Sequence, residues 1–353
     1  MACGGGRGVL IFWLTLPKAE LTVLGKYILD TQREKAHDYY MDAPETLQNA
    51  IIYFSDSDRC FEYALNLRWP DGLVSCPRCG SDQHSFIKTR RIWFCKGCKQ
   101  QFSLKVGTIF EDSPLGLDKW MSAFWMICNC KNGVSSMEIH RALGITQKSA
   151  WFMLHRIREA MKDEPTQLSG TIEMDETFVG GKVKNMHKHK RPKGTGRSGR
   201  PVAGQAKAIV VGMLERGGRV RAEVVADRTR EVLHQLAAEN IADGSTLITD
   251  EWHPYKGTNL QHEIINHAEA YVNGLVHTNG IENFWSLLKR GLSGTYVSVE
   301  PFHLFRYIDE QAFRYNHRKG MNDQARFEFA MKHIFGKRLT YATLTGAGSA
   351  TSH

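Results

Sequence analysis

Apolar positions along this chain repeat mainly with a helical period at first, then with a strand period, then with a helical period again. From Met41 the run MDAPETLQNAIIYFSDSDRCFEYALNLRWPDG reads as helical sequence, and Leu117 to Lys131 as an apolar helix ended by Asn132-Gly133. Ser135 and Glu138 have capping-box spacing and start a short helix, Ile139 to Gly144. Thr146 can cap a second, Gln147 to Met161, whose packed side carries Ala150, Met153, Leu154 and Ile157. Gln147, Lys148, Ser149, His155, Arg156 and Arg158 fall off that side and are available to a partner such as DNA.

Past Pro165 the period becomes two. In GTIEMDETFVGG, Gly170 to Gly181, Ile172 and Met174 fall on one face of a strand and Glu173, Asp175 and Thr177 on the other. Ala208 to Leu214 and Val220 to Val225 are two further strands joined by an Arg216-Gly217-Gly218 turn, which makes an antiparallel meander. Arg230 to Ile241 is a helix with Val232, Leu233, Leu236 and Ala237 on one face. Ser245 to Thr249 is a short buried strand that runs into Asp250-Glu251-Trp252. A helix between the third and fourth strands implies a crossover onto a mixed sheet. In HTNGIENFWSLLKRGLSG, Ile281, Phe284, Trp285, Leu288 and Leu292 form one buried helical stripe, beside which lie Glu282, Ser286 and Lys289. Glu300 to Arg318 is a last long helix, with Phe302, Phe305, Ile308 and Ala312 facing in and Arg306, Arg314 and Arg318 largely off that face. The segment from Thr340 onward reads as disordered. The fold class is α/β.

The pattern divides the chain into a leader over 1–40, a helix with a small cysteine-bearing module over 41–110, a helical region over 111–165, a sheet domain over 170–335 and a tail over 336–353. The leader departs from the rest in character. Its run Val9 to Leu16 is too short to span a bilayer, no cleavage site follows Arg7, and Met41 is the expected start of the protein. With no other stretch apolar enough for a membrane, the expected location is the cytoplasm.

Charge adds a partner. The net charge is +9, and Lys182 to Arg200 alone holds eight Lys or Arg and no acid. Broken by Pro192 and glycines, this run is either a solvated linker or a loop whose Lys188, Lys190, Arg191, Lys193 and Arg197 meet phosphates. The two short helices read likewise, as a plain packing unit or as a helix-turn-helix whose Gln147, Lys148 and Arg156 reach DNA.

Cys76-Pro-Arg-Cys79 and Cys95-Lys-Gly-Cys98 form C-x2-C-x15-C-x2-C. Each pair offers two thiolates to one metal, and four protein thiolates close a structural zinc site. Gly80 and Gly97 stand where such turns call for glycine, and Phe86, Ile87, Ile92, Trp93 and Phe94 supply a hairpin between the pairs. Cys3, Cys60, Cys128 and Cys130 fit no metal spacing.

Asp175 sits inside a strand that otherwise reads as core, which is costly unless the carboxylate is paired or binds a cation. Asp250 ends another strand. Glu282 is either an active acid or the capping-box partner of an N-capping Asn279. Taken together, MDETFVGGK, TDEW and HTNGIENFWSLLKRG, with the four-cysteine ribbon and RYNHR near the end, resemble bacterial insertion-sequence transposases of the DDE type, in the IS-fifteen-ninety-five group with its ISXO-two-like domain. The resemblance covers about Asp42 to Arg318. It implies a ribonuclease-H-like mixed sheet with flanking helices, preceded by a zinc ribbon and a helix-turn-helix. It also implies that Asp175, Asp250 and Glu282 hold two Mg2+ or Mn2+ ions and that Lys289 contacts DNA; Asn279 or Asn283 is the alternative third member. Two ions about 3.5–4 Å apart can serve both DNA cleavage and strand transfer, and hard carboxylate oxygens suit Mg2+. Asp175 is then expected to bridge both ions, Asp250 and Glu282 to hold one each, and Glu251 and Glu173 to play lesser parts. Lys289 grips a phosphate or pairs with Glu282. The expected partners are double-stranded DNA, as element inverted repeats and target, and further copies of the chain assembled on it in the nucleoid. A nuclease or resolvase of the same fold, and a zinc-ribbon regulator with an inactive sheet domain, are the competing functions.

Overall fold

The computed structural model describes residues 44–163, 166–181, 207–250, 257, 260–265 and 278–346. The leader, the start at Met41, the basic loop with Lys188, Lys190, Arg191, Lys193 and Arg197, and Glu251 lie outside the described residues.

The front of the chain begins with α1 (Leu47–Ser55) and α2 (Ser57–Arg68). Thr46 and Asp56 cap them by accepting from backbone N–H groups of their first turns. The cysteine module follows as an antiparallel sheet of β1 (His84–Ile87), β2 (Ile92–Cys95) and β3 (Gln101–Phe102), in the order β1-β2-β3. The expected hairpin is present; β3 was not expected, because two residues carry no periodic signal. Trp93 ties this sheet to α2, its ring stacked on Phe61 and on Phe102 at interplanar angles of 13° and 14°.

Next comes α3 (Leu117–Asn129), buried on nearly every side, as its apolar sequence requires. The short helices α4 (Ser136–Leu143) and α5 (Gln147–Ala160) turn at Gly144, with the Ser135–Glu138 capping box formed and Thr146 capping α5. This core has a late contributor. Helix α9 (Asp323–Lys332), which sequence grouped with the sheet, inserts Phe327 beside Phe54, Phe124 and Trp125.

The main sheet holds β4 (Thr171–Val179), β5 (Ala208–Glu215), β6 (Val220–Val225), β7 (Thr246–Asp250) and β8 (Gln261–Ile265), in the order β6-β5-β4-β7-β8. β4, β5 and β6 form the expected antiparallel meander. Helix α6 (Arg230–Asn240) carries the chain across, so β7 lies parallel to β4, and β8 extends the sheet in parallel. β8 escaped the sequence reading because QHEII is too polar for a core strand. One face packs Ile172, Met174, Val211, Met213 and Leu247 against Leu233, Leu236 and Ala237 of α6. The other packs Val210, Leu214 and Ala222 against α7 (Asn279–Gly291) and α8 (Leu304–Asn316).

Two expectations about the end of the chain are corrected. Phe302 and Phe305 are exposed, at 61% and 42%, whereas Arg314 is buried. The reason is Glu310: its carboxylate, fully buried, accepts from Arg158 at 2.6 Å and also pairs with Arg314 and the Tyr296 hydroxyl. A buried charge set of this kind persists only when its members satisfy one another. The tail from Thr340 is not disordered in its described part. Thr340 caps α10 (Tyr341–Leu344), and Leu344 is fully buried. Among the described residues no helix is long and apolar enough to cross a membrane.

Candidate functional site

The sheet brings two of the candidate acids to one place. β4 and β7 pair with Glu173 opposite Ile248, and the same offset carries Asp250 level with Asp175, just past the last paired residues. Two acids therefore stand at the same height on adjacent parallel strands. The third comes from α7, which crosses the face of β4 and β5. Its placement rests on Gly212, the residue opposite Asp175 on β5: a Cβ there would lie 2.5 Å from the Trp285 ring. With no side chain in the way, Trp285 settles on β5 and its Nε1–H donates to Asp175 Oδ2 at 2.9 Å. Two residues earlier on β4, the buried Glu173 accepts from the Ile281 N–H at 2.9 Å and from Arg216 Nε at 3.0 Å. Asp175 and Glu173 thus hold successive turns of α7.

This arrangement decides how the start of α7 is capped. Thr278, not Asn279, is the N-cap residue, and Glu173 takes a first-turn N–H. The Asn279–Glu282 capping box does not form. Glu282 stays exposed, its Oε1 accepting from the Thr278 hydroxyl at 3.3 Å.

Burial raises the Asp175 carboxyl above its ordinary value. The Trp285 and Glu176 N–H groups oppose that rise, while the negative charges of Asp250 and Glu282 add to it. The three acids are therefore electrostatic neighbours. Their oxygens are not packed as one tight cluster: among the described residues only the four cysteines bring at least three ligand atoms within 4.8 Å of one another. Two ions about 4 Å apart, each with Mg–O bonds of about 2.1 Å, do not require all three carboxylates to meet at one point. Three carboxylates, one of them half-buried and beside two other negative charges, are a fitting donor set for Mg2+.

The cysteine centre is tighter. Cys76 and Cys98 Sγ are 3.7 Å apart, and Cys79 and Cys95 Sγ are 3.6 Å apart. A tetrahedron of Zn–S bonds of about 2.3 Å has edges of about 3.8 Å, whereas a disulfide would need about 2.05 Å. The four thiols have the geometry of a structural zinc site. The Cys98 backbone N–H leads in drawing Cys95 down to about 6, while, against the Gln100 N–H, burial and the neighbouring thiols push Cys98 up to about 11. The glycine expectation holds in part. Gly80 has φ +74°, but in the second turn it is Lys99 that is left-handed, and Gly97 is needed for room, its missing Cβ lying 3.0 Å from Ser81 Cβ.

A family model for the ISXO2-like transposase domain matches residues 167–316, and one for the transposase zinc-ribbon domain matches residues 55–101. This chain belongs to the ISXO2-like transposases of the IS1595 family. It is 26% identical over 254 residues to an uncharacterized protein in transposable element ISH50 of Halobacterium salinarum, a match covering 69% of this chain and 85% of that protein. A solved structure of a simian T-cell lymphotropic virus intasome in complex with PP2A regulatory subunit B56 gamma aligns at 14% identity. That alignment covers 55% of this chain and 64% of the other, and its TM-score of 0.25 is too low to argue fold from.

Of the DNA candidates in the transposase, Gln147 and Lys148 are exposed in the first turn of α5, with Lys148 Nζ 4.7 Å from the Tyr341 ring centre. Arg156 is corrected: it is 4% exposed, donates to the Glu111 carbonyl and lies over Trp120 and Phe152. His155 and Arg158 are buried too. α5 is packed by α3, α4 and α8, so that of its residues Gln147 and Lys148 are the exposed ones. Lys289 is exposed on α7 and makes no ion pair with Glu282. Sequence reading missed Trp285 as a partner of the site, and it placed Glu173 there as a lesser acid rather than as the group that holds the Ile281 N–H and Arg216. The stripe marks Trp285 as core, and nothing local says where its N–H points.

Proposed function

We propose that this transposase binds the ends of an insertion sequence and carries out metal-dependent cleavage and strand transfer on DNA, with Asp175, Asp250 and Glu282 as its metal-holding carboxylates. The observation that carries the reading is that Asp175 and Asp250 stand level on adjacent parallel strands while the helix bearing Glu282 is bound to Asp175 through Trp285. The order of parts supports a ribonuclease-H-like domain: a strand with an acid, a meander, a crossover helix, a parallel strand ending in an acid, then a helix with Glu282 and Lys289.

Bound Mg2+ or Mn2+ would activate the attacking oxygen and neutralise the leaving one in an in-line phosphoryl transfer. The residues around the acids prepare for that. Asp175, central and half-buried, offers the oxygen not taken by Trp285. Asp250 ends the neighbouring strand, and Glu282 comes from the helix that packs on this face. Lys289, two turns beyond Glu282 on the same side of α7, is in reach of a DNA phosphate next to the reacting bond. The helical pair α4–α5 serves as a helix-turn-helix that presents Gln147 and Lys148, and the stretch from Lys188 to Arg197 adds sequence-independent phosphate contacts. The zinc ribbon is a structural part of the front domain, and the working form on DNA is an oligomer able to hold two ends.

Linear fragments carrying the element ends, mixed with target plasmid and Mg2+, test this directly. Joined products are expected from the native protein and none from D175N. Cleavage without joining would point to a nuclease or resolvase, and DNA binding with neither product to a regulator.

A further inference from the structure

The site contains a hydrogen bond that the phosphoryl-transfer reading does not require. Asp175 is the acid from which both neighbours are reached, yet one of its oxygens is occupied by an indole N–H at 2.9 Å. The indole belongs to α7, the helix that also carries Glu282, three positions earlier. It reaches β4 only because position 212 has no side chain, a Cβ there meeting the ring at 2.5 and 2.6 Å. A second link runs in parallel, from Glu173 on β4 to the Ile281 N–H, with Arg216 holding the other oxygen of Glu173.

We propose that Trp285 is a positioning residue for the metal-holding acids: its N–H fixes the Asp175 carboxylate in one rotation and, through the same contact, sets the distance between Asp175 and Glu282. A carboxylate free to turn about its Cβ–Cγ bond divides its time among orientations; one clamped at Oδ2 by the indole, with the Glu176 N–H as a second donor, is held in one. The contact is charge-assisted and part-buried, and bonds to an ionised partner are the stronger kind. Glu173 completes the clamp. It fixes the beginning of α7, so the helix can neither slide along β4 nor turn Glu282 away. The inference rests on the three-acid reading of the site and adds the element that aligns it.

The test is a Mg2+ titration followed by thermal shift and, separately, by end cleavage. Trp285→Phe keeps the aromatic packing and removes the donor; benzothienylalanine at the same position keeps the bicyclic shape as well. Both are expected to fold but to melt below the native protein without metal, since each leaves the Asp175 carboxylate one donor short. Half-saturation by Mg2+ should rise about tenfold or more in both readouts, the factor expected when a hydrogen bond to a charged group is lost, and cleavage should recover at high Mg2+. Trp285→Phe could fold poorly; the benzothienylalanine variant then carries the decision. Unchanged half-saturation in a variant that still melts cooperatively overturns the proposal. If the native protein itself shows no Mg2+-dependent shift, or D175N shows the same shift as native, the three-acid reading fails first, and the two outcomes are distinguished.

Discussion

Replacing Asp175 with Asn should stabilise the metal-free protein while abolishing its response to Mg2+. Burial is the main reason the Asp175 carboxyl is held above its ordinary value of 3.8, with the charges of Asp250 and Glu282 adding to it. In the window between 3.8 and that raised value the folded state binds more protons than the unfolded one, so metal-free stability falls as pH rises through it. At neutral pH the folded protein therefore carries a carboxylate charge it would be better off without. Asn removes the charge and can still accept from Trp285 Nε1 through its amide oxygen. D175N should melt above native without metal, and the difference should shrink as pH falls toward 3.8. Ion binding reverses the order. With Mg2+ at a hundredfold its dissociation constant, the native protein gains about 2.7 kcal/mol, a shift of roughly 5–10 °C for a domain of this size. Differential scanning fluorimetry with and without Mg2+ and EDTA, across pH, measures both effects. A D175N protein that melts below native without metal and keeps a native Mg2+ shift would refute the argument and make Asp175 a structural residue.

Other perturbations separate the remaining parts. Glu310→Gln leaves Arg158 and Arg314 buried without their carboxylate and should cost about 3–5 kcal/mol by chemical denaturation; a loss under about 1 kcal/mol would show the set to be solvated. Arg156→Ala should lower stability by about 1–3 kcal/mol and leave DNA affinity unchanged, whereas Lys148→Ala should weaken binding in a gel-shift assay with little effect on melting. Deleting Lys188 to Arg200 should reduce DNA affinity and flatten its salt dependence by about 0.9 for each phosphate no longer neutralised; an unaltered slope would make the segment a linker. Zinc chelation or Cys95→Ser should unstack Trp93 from Phe61 and Phe102, seen as loss of near-ultraviolet circular dichroism, while the main sheet persists.

What could be read without coordinates was what depends on near neighbours in the chain. The C-x2-C pairs specify their own turns, so the four thiols could be grouped from spacing alone. The alternation around Asp175 marked β4, and the stripe from Ile281 to Leu288 marked α7, because a strand or helix exposes its period directly in the order of residues. The meander and the parallel crossover followed from the order of elements.

Errors gathered where the deciding contact lies far along the chain. The pattern on α5 shows a packed side at Ala150, Met153, Leu154 and Ile157, but it cannot show that α8 covers another flank. Arg158 is buried because Glu310, 152 residues away, compensates its charge. Phe302 and Phe305 stand in solvent for the complementary reason: the helix turned its charged residues inward to meet that partner. α9 and Leu344 return to the body of the protein through shape alone, which periodicity does not encode.

The amino-acid order by itself determined the zinc ligands, the strand bearing Asp175, the strand ending in Asp250 and the helix bearing Glu282, since each is a local pattern of side-chain spacing. Only the tertiary structure decided that these acids share one electrostatic neighbourhood, that Trp285 and Glu173 hold the helix against the strand, and that Arg156 is a core residue. The physical reason is that charge interaction and burial depend on distance through space, and the chain reaches those distances only after it has folded.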